Sequence, residues 1–271
     1  MSPKLLFPPI FYAVAVIKFN PVLNMGDYIV PIQTDMRKKY PDFQKGVSSE
    51  IQIQVNGQNA PTVKSNPAEL WEFRNTSLTS GFSLTQNHLR FQTTAYEDSD
   101  TFVKAILEGF ETIHKHVGLA YTEIAAVRLL DAVIPKDGED LTTYLTPGPL
   151  GLRNILDGEI TQGVCQAVFK TPAGLATSRT ILVRGALGFP QDLLPLNLKL
   201  NTRLKSNTLH AVIDNDCQYQ SRISPIDTVE IEKRIRAAKA QATKAFKNAL
   251  TPAALDIWNG IGAKHGSTTR H

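Results

Sequence analysis

The segment Ile10-Phe11-Tyr12-Ala13-Val14-Ala15-Val16-Ile17-Lys18-Phe19 is apolar at nine of its ten positions. Successive side chains of a β-strand point to opposite faces of the sheet, so a strand over residues 10–19 is apolar on both faces. Such strands lie in the middle of a sheet, where other elements cover both sides. We therefore predict a central strand here, and the rest of the chain must supply what covers it.

Residues 5–17 also permit a different interpretation, because an apolar run near the N-terminus is typical of a targeting or membrane segment. Pro8-Pro9 interrupts the run, which is also shorter than the roughly 20 residues that a transmembrane helix needs. The cysteines, Cys165 and Cys217, form no Cys-x-x-Cys motif and are typical of reduced thiols. We expect a soluble, cytoplasmic protein that does not interact with a membrane.

A second segment that is apolar on both faces runs from Ile124 to Ile134, and we expect it to pair with the first at the centre of the sheet. Polar-alternating strands and two helices lie between the two segments in sequence. The pattern predicts an α+β fold in which helices pack on one face of a mainly antiparallel sheet. The N-terminal half is reminiscent of a ferredoxin-like core with an extra hairpin.

The C-terminal part predicts a second, smaller β-meander and a long helix. Strands are expected over residues 164–170, 179–184 and 209–214, and the helix over about 227–250, where apolar residues recur every three or four positions. A loop rich in Gly and Pro precedes them. We predict an N-terminal α+β domain over 1–140 and a C-terminal domain over 141–271, with a soft boundary that also allows one integrated unit.

The charge of the chain is small but unevenly placed. Its 271 residues include 29 Lys and Arg against 25 Asp and Glu, a net charge of +4, which does not by itself indicate nucleic-acid binding. Residues 199–271 hold 12 basic and 6 acidic residues. The basic side chains opposite the apolar face of the long helix are Lys233, Arg236, Lys244 and Lys247. This face is a solvated helix surface, the commoner case, or it binds a protein partner or nucleic acid.

Motifs that bind phosphates or mark common hydrolases are missing from the sequence. It contains no G-x-x-x-x-G-K-[ST] loop, no G-x-G-x-x-G loop, no G-x-S-x-G elbow and no H-E-x-x-H motif. His114 and His116 lie two positions apart on a predicted helix, so they point away from each other and cannot share a metal ion. We therefore predict no cofactor and no catalytic residue.

Charged residues occur where burial is expected. Arg128 and Asp131 lie in the second apolar segment and point to opposite faces, and each needs a partner because an unpaired buried ion is costly. We predict structural ion pairing for both. Asp131, Asp214 and Asp216 could hold Mg²⁺ if the fold brought them together. Alternatively, these carboxylates pair with Arg128, or Asp214 and Asp216 shape a turn.

Several motifs, in their order and spacing, resemble those of a sporadically distributed family of uncharacterised bacterial proteins. The resemblance covers nearly the whole chain. The similar segments are Pro8-Pro9 leading into the first strand, Tyr40-Pro41-Asp42-Phe43, Val127-Arg128-Leu129-Leu130-Asp131, Ala211-Val212-Ile213-Asp214, and the C-terminal helices with Thr251-Pro252 and Trp258. The resemblance implies no catalytic residue, and the family's patchy distribution implies surroundings of mobile elements, defence genes or toxin–antitoxin pairs.

Together these observations favour a non-enzymatic bacterial binding protein that recognises another protein in a defence or toxin–antitoxin-like system. One alternative is an RNA- or DNA-binding protein that uses the basic helix face. Another is a metal-dependent enzyme that uses Asp131, Asp214 and Asp216. The sequence predicts neither the identity of the partner nor the oligomeric state.

Overall fold

The computed structural model describes residues 9–54, 62–153, 155, 157–200 and 208–259, without the side chains of 48–54, 62–67, 221 and 222. These residues form nine strands and five α-helices. The strands are β1 (Ile10–Phe19), β2 (Asp42–Gln54), β3 (Thr62–Arg74), β4 (Ser80–Leu84), β5 (His88–Thr93), β6 (Tyr121–Val133), β7 (Gln162–Thr171), β8 (Gly174–Arg184) and β9 (Leu209–Pro225). The helices are α1 (Ile29–Met36), α2 (Ser99–Val117), α3 (Pro147–Leu150), α4 (Thr228–Ala249) and α5 (Pro252–Trp258).

All nine strands belong to one antiparallel sheet, in the order β2-β3-β4-β5-β1-β6-β9-β8-β7. The two segments that are apolar on both faces, β1 and β6, are neighbours at its centre, with Ala15 opposite Val127. The prediction of an α+β fold with a large antiparallel sheet is confirmed. Among the described helices, none is both long and apolar enough to span a membrane.

One face of the sheet is covered by helices. The N-cap Asp227 accepts hydrogen bonds from the backbone N–H groups of Val229 and Glu230 and starts α4, which packs against β6 and β9. Gly118, in the left-handed conformation at φ 70°, ends α2. The side chains that α4 buries are those predicted from their spacing: Ile231, Ile235, Ala238, Ala242, Phe246 and Ala249.

In the part of the chain that the structure describes, no α-helix packs on the other face, and the connection between β8 and β9, which includes the 3-10 helix Gln191–Leu193, covers part of it. Leu187, Phe189, Leu193 and Leu196 of this connection pack against an apolar patch of β1, β6 and β9. The patch consists of Phe11, Tyr12, Val14, Leu130, Ala132 and Val212. Each central strand is therefore covered on both sides, as its two apolar faces require.

The sheet is continuous across the predicted domain boundary. β6 precedes residue 140 and β9 follows it, yet they pair from Tyr121 opposite Pro225 to Val133 opposite Ala211. The predicted C-terminal meander, β7-β8-β9, is thus one wing of the same sheet. The division into domains 1–140 and 141–271 stays a prediction, with hydrogen bonds joining the two parts along a whole strand.

One element boundary differs from the expectation. β9 was expected to end at Asp214, but it continues to Pro225, so Asp214 and Asp216 lie within a strand and do not shape a turn. The strand can continue because Asp214 has a cationic partner across the sheet, described below.

The cysteines Cys165 and Cys217 are both free thiols.

Gly109 gives a test of how tightly the helix face is packed. A Cβ atom on Gly109, in α2, would lie 2.3 Å from Cε1 of Phe82. The Phe82 ring is held by Tyr40 and Phe91, each at a centroid distance of 4.9 Å. Overpacking costs about 1–3 kcal/mol and outweighs the roughly 1 kcal/mol helix-propensity gain of alanine. We expect Gly109→Ala to lower the free energy of unfolding in urea by about 1–2 kcal/mol.

The matched control is Gly46→Ala, since nothing lies within 4 Å of a Cβ atom at that position. Its stability should be unchanged or slightly higher, because alanine restricts the unfolded chain. A Gly109→Ala protein as stable as the wild type would show that the α2–sheet interface is looser than described.

Candidate binding groove on the helix-free face of the sheet

Arg128 lies at the centre of an ion-pair network on the helix-free face. Its Nε and Nη2 atoms donate to the two carboxylate oxygens of Asp214 at 2.7 and 2.8 Å. Its Nη1 and Nη2 atoms also donate to Asp192, in the β8–β9 connection. Arg179 of β8 adds a second cation, 3.5 Å from Asp214 and 3.8 Å from Asp192. Two arginines and two aspartates thus balance in charge and tie the connection to the sheet.

Burial makes this network strong. The side chains of Arg128 and Asp214 are 9% and 2% exposed, so water hardly screens the bidentate pair. Burial by itself lowers the pKa of Arg128, but the hydrogen bonds to Asp214 and Asp192 outweigh it and the pKa is raised. The hydrogen bond from Arg128 lowers the pKa of Asp192. The guanidinium is therefore a permanent cation whose role here is structural.

The carboxylates of the metal hypothesis are not brought together. Asp214 and Asp216 share the helix-free face with Arg128, whereas Asp131 follows Leu130 and points to the helix face. Among the described residues, no group of three His, Cys, Asp or Glu side chains could hold a metal ion. Arg128 pairs with Asp214, one of the alternatives weighed above, and not with Asp131.

Asp131 is buried on the helix face. Its side chain is 1% exposed and its Oδ1 atom has no hydrogen-bond partner. Burial raises its pKa well above the ordinary value, and Lys239 of α4 opposes this shift. The structural ion pairing of Asp131 stays a prediction, and the charged group that opposes its pKa shift is Lys239, not Arg128.

Beside the Arg128 network lies an open groove of about 280 Å³. Its floor is apolar and comes from the two central strands, with Val14 and Val16 of β1 beside Ile124 and Ala126 of β6. From the β8–β9 connection, Asp192 and Leu193 line the groove. The groove therefore lies beside the part of the connection that Arg128 holds to the sheet.

One wall of the groove carries positive charge. Arg90 of β5 lies opposite Val16, and Lys18 lies opposite His88. Lys18 pairs with Glu123 at 2.9 Å. In the described part of the chain, Arg90 has no ion-pair partner, and its Nε atom is buried without a hydrogen bond. Buried polar groups are nearly always satisfied, so the unsatisfied guanidinium marks a place where a ligand can supply acceptors.

His88 contributes hydrogen bonding to this wall without charge. Its Nδ1 atom lies 2.8 Å from Thr85 Oγ1 and 3.1 Å from Asn87 Oδ1, which fixes the ring. Burial, Arg90 and Lys18 lower its pKa to about 4. At neutral pH the imidazole is uncharged and Lys18 is paired with Glu123, so Arg90 provides the unmatched positive charge of the wall.

The opposite wall is polar and acidic. It consists of Asp192, Asp216 and Gln218, with Arg128 engaged as described. Burial raises the pKa of Asp216, and the charge of Arg128 opposes that shift. Arg90 and Gln218 lie in one row across β5, β1, β6 and β9, about 14 Å apart at the usual strand spacing. The groove thus has a cationic wall, an apolar floor and an acidic wall.

This arrangement suits binding better than catalysis. A general base must lie within about 3 Å of the group that it activates. His88 and Asp216 are on strands separated by β1 and β6, too far apart for an imidazole–carboxylate relay. The chemistry available is charge-assisted hydrogen bonding at one wall and apolar contact on the floor.

The predicted basic face of α4 is largely neutralised. Arg236 bonds to Asp100 at 2.6 Å and to Glu232 at 2.7 Å. Lys233 lies 3.6 Å from Glu230. Lys244 lines a separate cavity between α4 and the β7–β8 hairpin, and Lys247 also has an interaction partner. The four predicted residues therefore do not form a field of free cations.

Sequence reasoning did not identify Arg90, His88, Asp192 or Arg179 as site residues. A signal exists for Arg90, because it lies between Leu89 and Phe91 in an alternating strand, on the face of the sheet opposite to theirs. No local signal exists for Asp192, which reaches Arg128 from 64 residues away.

Removing Arg128 tests the structural role of the network. Arg128→Met leaves Asp214 buried with only Arg179 nearby, and breaking a buried ion pair costs about 3–5 kcal/mol. We expect a loss of about 3 kcal/mol in the free energy of unfolding, measured by urea denaturation. The double variant Arg128→Met/Asp214→Leu removes both charges and should recover at least half of the loss. A single variant of wild-type stability would contradict the network's structural role.

Asp131 makes stability depend on pH in a defined direction. Above the ordinary pKa of aspartate, near 4, the unfolded chain releases its proton while the folded chain retains it. The folded state then binds more protons, so stability falls as pH rises. In Asp131→Asn, the melting temperature should fall less between pH 4.5 and 7.5 than in the wild type. Exposed Asp256 provides the control, Asp256→Asn. An unchanged pH dependence in Asp131→Asn would exclude this linkage.

Comparison with known proteins found no protein-family model that matches the chain and no curated protein with significant similarity. The resemblance to the sporadically distributed bacterial family therefore stays a prediction. The geometry of the groove is the basis for the function proposed next.

Proposed function

We propose that this protein is a non-enzymatic binding protein whose groove recognises a segment of a partner protein that carries a carboxylate beside a small apolar side chain. The observation that carries the proposal is Arg90, a half-buried arginine without an ion-pair partner in the described residues, on the wall of an apolar-floored groove.

A carboxylate is the acceptor that fits this wall. Guanidinium groups bind carboxylates through paired, charge-assisted hydrogen bonds. Lys18 is matched by Glu123, and His88 is neutral, so the attraction for a carboxylate comes from Arg90. Val14 and Val16 then offer apolar contact for a side chain next to the carboxylate. Acidic residues of a partner, or its C-terminal carboxylate, combine both features.

The size of the groove favours a protein segment over a small-molecule substrate. Pockets that enclose small ligands usually measure about 300–1,000 Å³, and this groove, at about 280 Å³, is smaller and open to solvent. An open groove with a charged rim and apolar floor is typical of a surface that receives one or two side chains of a larger partner.

The biological setting and the finer fold description belong to the same proposal. The patchy distribution of the resembling family supports a partner in a defence or toxin–antitoxin-like system, in the cytoplasm. The strand order β6-β1-β5-β4 supports a ferredoxin-like N-terminal core to which β2 and β3 add a hairpin. The nucleic-acid alternative has less support, because Arg236 and Lys233 already have acidic partners.

Arg90→Gln tests the proposal with a defined probe. Wild-type protein would be used to select peptides from a random phage-displayed library, and affinities of synthetic versions would be measured by fluorescence polarisation. We expect selected peptides to contain Asp, Glu or a free C-terminus beside a small apolar residue. Hydrogen bonds to charged groups contribute about 1.5–3 kcal/mol, so Arg90→Gln should weaken binding at least about tenfold.

The control is Arg37→Gln, which removes an exposed arginine just after α1, on a different part of the surface. Its affinity should match that of the wild type. Selection of basic peptides, or equal binding by Arg90→Gln, would refute the proposed recognition of a carboxylate. Gel shifts with RNA and DNA at several salt concentrations separate the alternative, because binding through phosphates weakens as salt rises.

A further inference from the structure

β7 is a long edge strand with few of the features that usually block pairing with another chain. β7 pairs with β8 on one side and forms one end of the nine-stranded sheet. Natural edge strands are usually short or carry proline and inward charges that block pairing with another chain. β7 has ten residues without proline, and its one charged residue is Lys170.

The strand also exposes apolar side chains on both faces. Val164, Val168 and Phe169 are 61%, 60% and 52% exposed. Val164 and Val168 lie on one face of the strand and Phe169 on the other. Solvation of single apolar residues is ordinary. Three within six positions of an edge that no other described strand pairs with are typical of a surface that pairs with another chain.

The hydrogen-bond pattern shows which residues face outward. The N–H of Arg184 donates to the carbonyl oxygen of Thr161 at 3.1 Å, one step beyond the pair Gln162–Val183. Hydrogen-bonded pairs alternate along an antiparallel ladder, so the odd-numbered residues of β7 bond to β8. The backbone groups of the even-numbered residues therefore point to the open edge: Gln162, Val164, Gln166, Val168 and Lys170.

These five residues are symmetric about Gln166, and from this we propose that β7 pairs antiparallel with β7 of a second copy of the chain, about a two-fold axis through Gln166. In that register Gln162 faces Lys170 and Val164 faces Val168 of the second copy, so every outward backbone group finds a partner. The ladder has about ten main-chain hydrogen bonds, as many as a typical stable protein interface.

The side chains agree with this register. The Val164–Val168 pair is apolar, and Phe169 covers Gly163 of the second copy, which leaves room for its ring. Lys170 lies opposite the uncharged Gln162 of the second copy, so no like charges meet along the ladder. The second copy is therefore the occupant that this edge fits.

Sedimentation velocity from 1 to 100 μM measures the proposed association. We expect a concentration-dependent dimer in the wild type. Gln166→Pro removes an outward N–H without removing a bond to β8, and Val168→Lys places charges within the ladder. Each should raise the dissociation constant at least tenfold, with circular dichroism confirming that the fold is retained. Leu23→Lys, at a residue 83% exposed and outside the edge, is the matched control and should dimerise normally.

A cysteine cross-link tests the register itself. With the axis at Gln166, Cys165 lies opposite Ala167 of the second copy in a pair without hydrogen bonds, where Cα atoms are about 4.5 Å apart and a disulfide can form. Ala167→Cys should give a covalent dimer on mild oxidation, and Ala167→Cys/Cys165→Ser should not. A wild type that stays monomeric at 100 μM, or a dimer that neither edge variant weakens, overturns the proposal. The proposed dimer does not involve the groove, so the Arg90→Gln protein should dimerise as the wild type does.

Discussion

β1 and β6 are adjacent and apolar on both faces, and the fold depends on covering both of those faces. α2 and α4 bury one side, with α4 packed directly against β6 and β9. No α-helix of the described residues packs on the other side, where the β8–β9 connection supplies Leu187, Phe189, Leu193 and Leu196. Ionic bonds hold this connection to the sheet. Arg128 joins Asp192 of the connection to Asp214 of the sheet.

This partial covering is also what creates the groove. Among the described residues, the connection packs against Phe11 and Tyr12 at one end of β1, whereas Val16, nearer the other end, lines the groove. A fully apolar open face would be an aggregation hazard. The chain surrounds it with Arg90 and Lys18 on one side and with Asp216 on the other. The charges that keep this face soluble are the same ones that can select a ligand.

The ion-pair partners of the charged side chains determine which of them remain available to bind a ligand. Arg128, Asp214 and Asp192 satisfy one another, and Arg236 is matched by Asp100 and Glu232. Asp214 of the metal hypothesis and Arg236 of the nucleic-acid hypothesis are thus already engaged. Arg90 differs from these residues because its Nε atom is buried without an acceptor.

Periodicity in the sequence determined the central strand pair, the buried face and cap of α4, and the α+β class, because these features depend on residues close to one another in the chain. Apolar residues spaced two positions apart indicate a strand, and those spaced three and four positions apart indicate a helix. The tertiary structure decided the partners of the charges. Strand alternation placed Asp131 on the face opposite Asp214, and the sheet order brought Asp192 and Asp214 to Arg128 across separations of 64 and 86 residues. Electrostatic partners depend on distances in space, which no local pattern in the sequence records, and so the groove and its unpaired arginine emerge only from the folded chain.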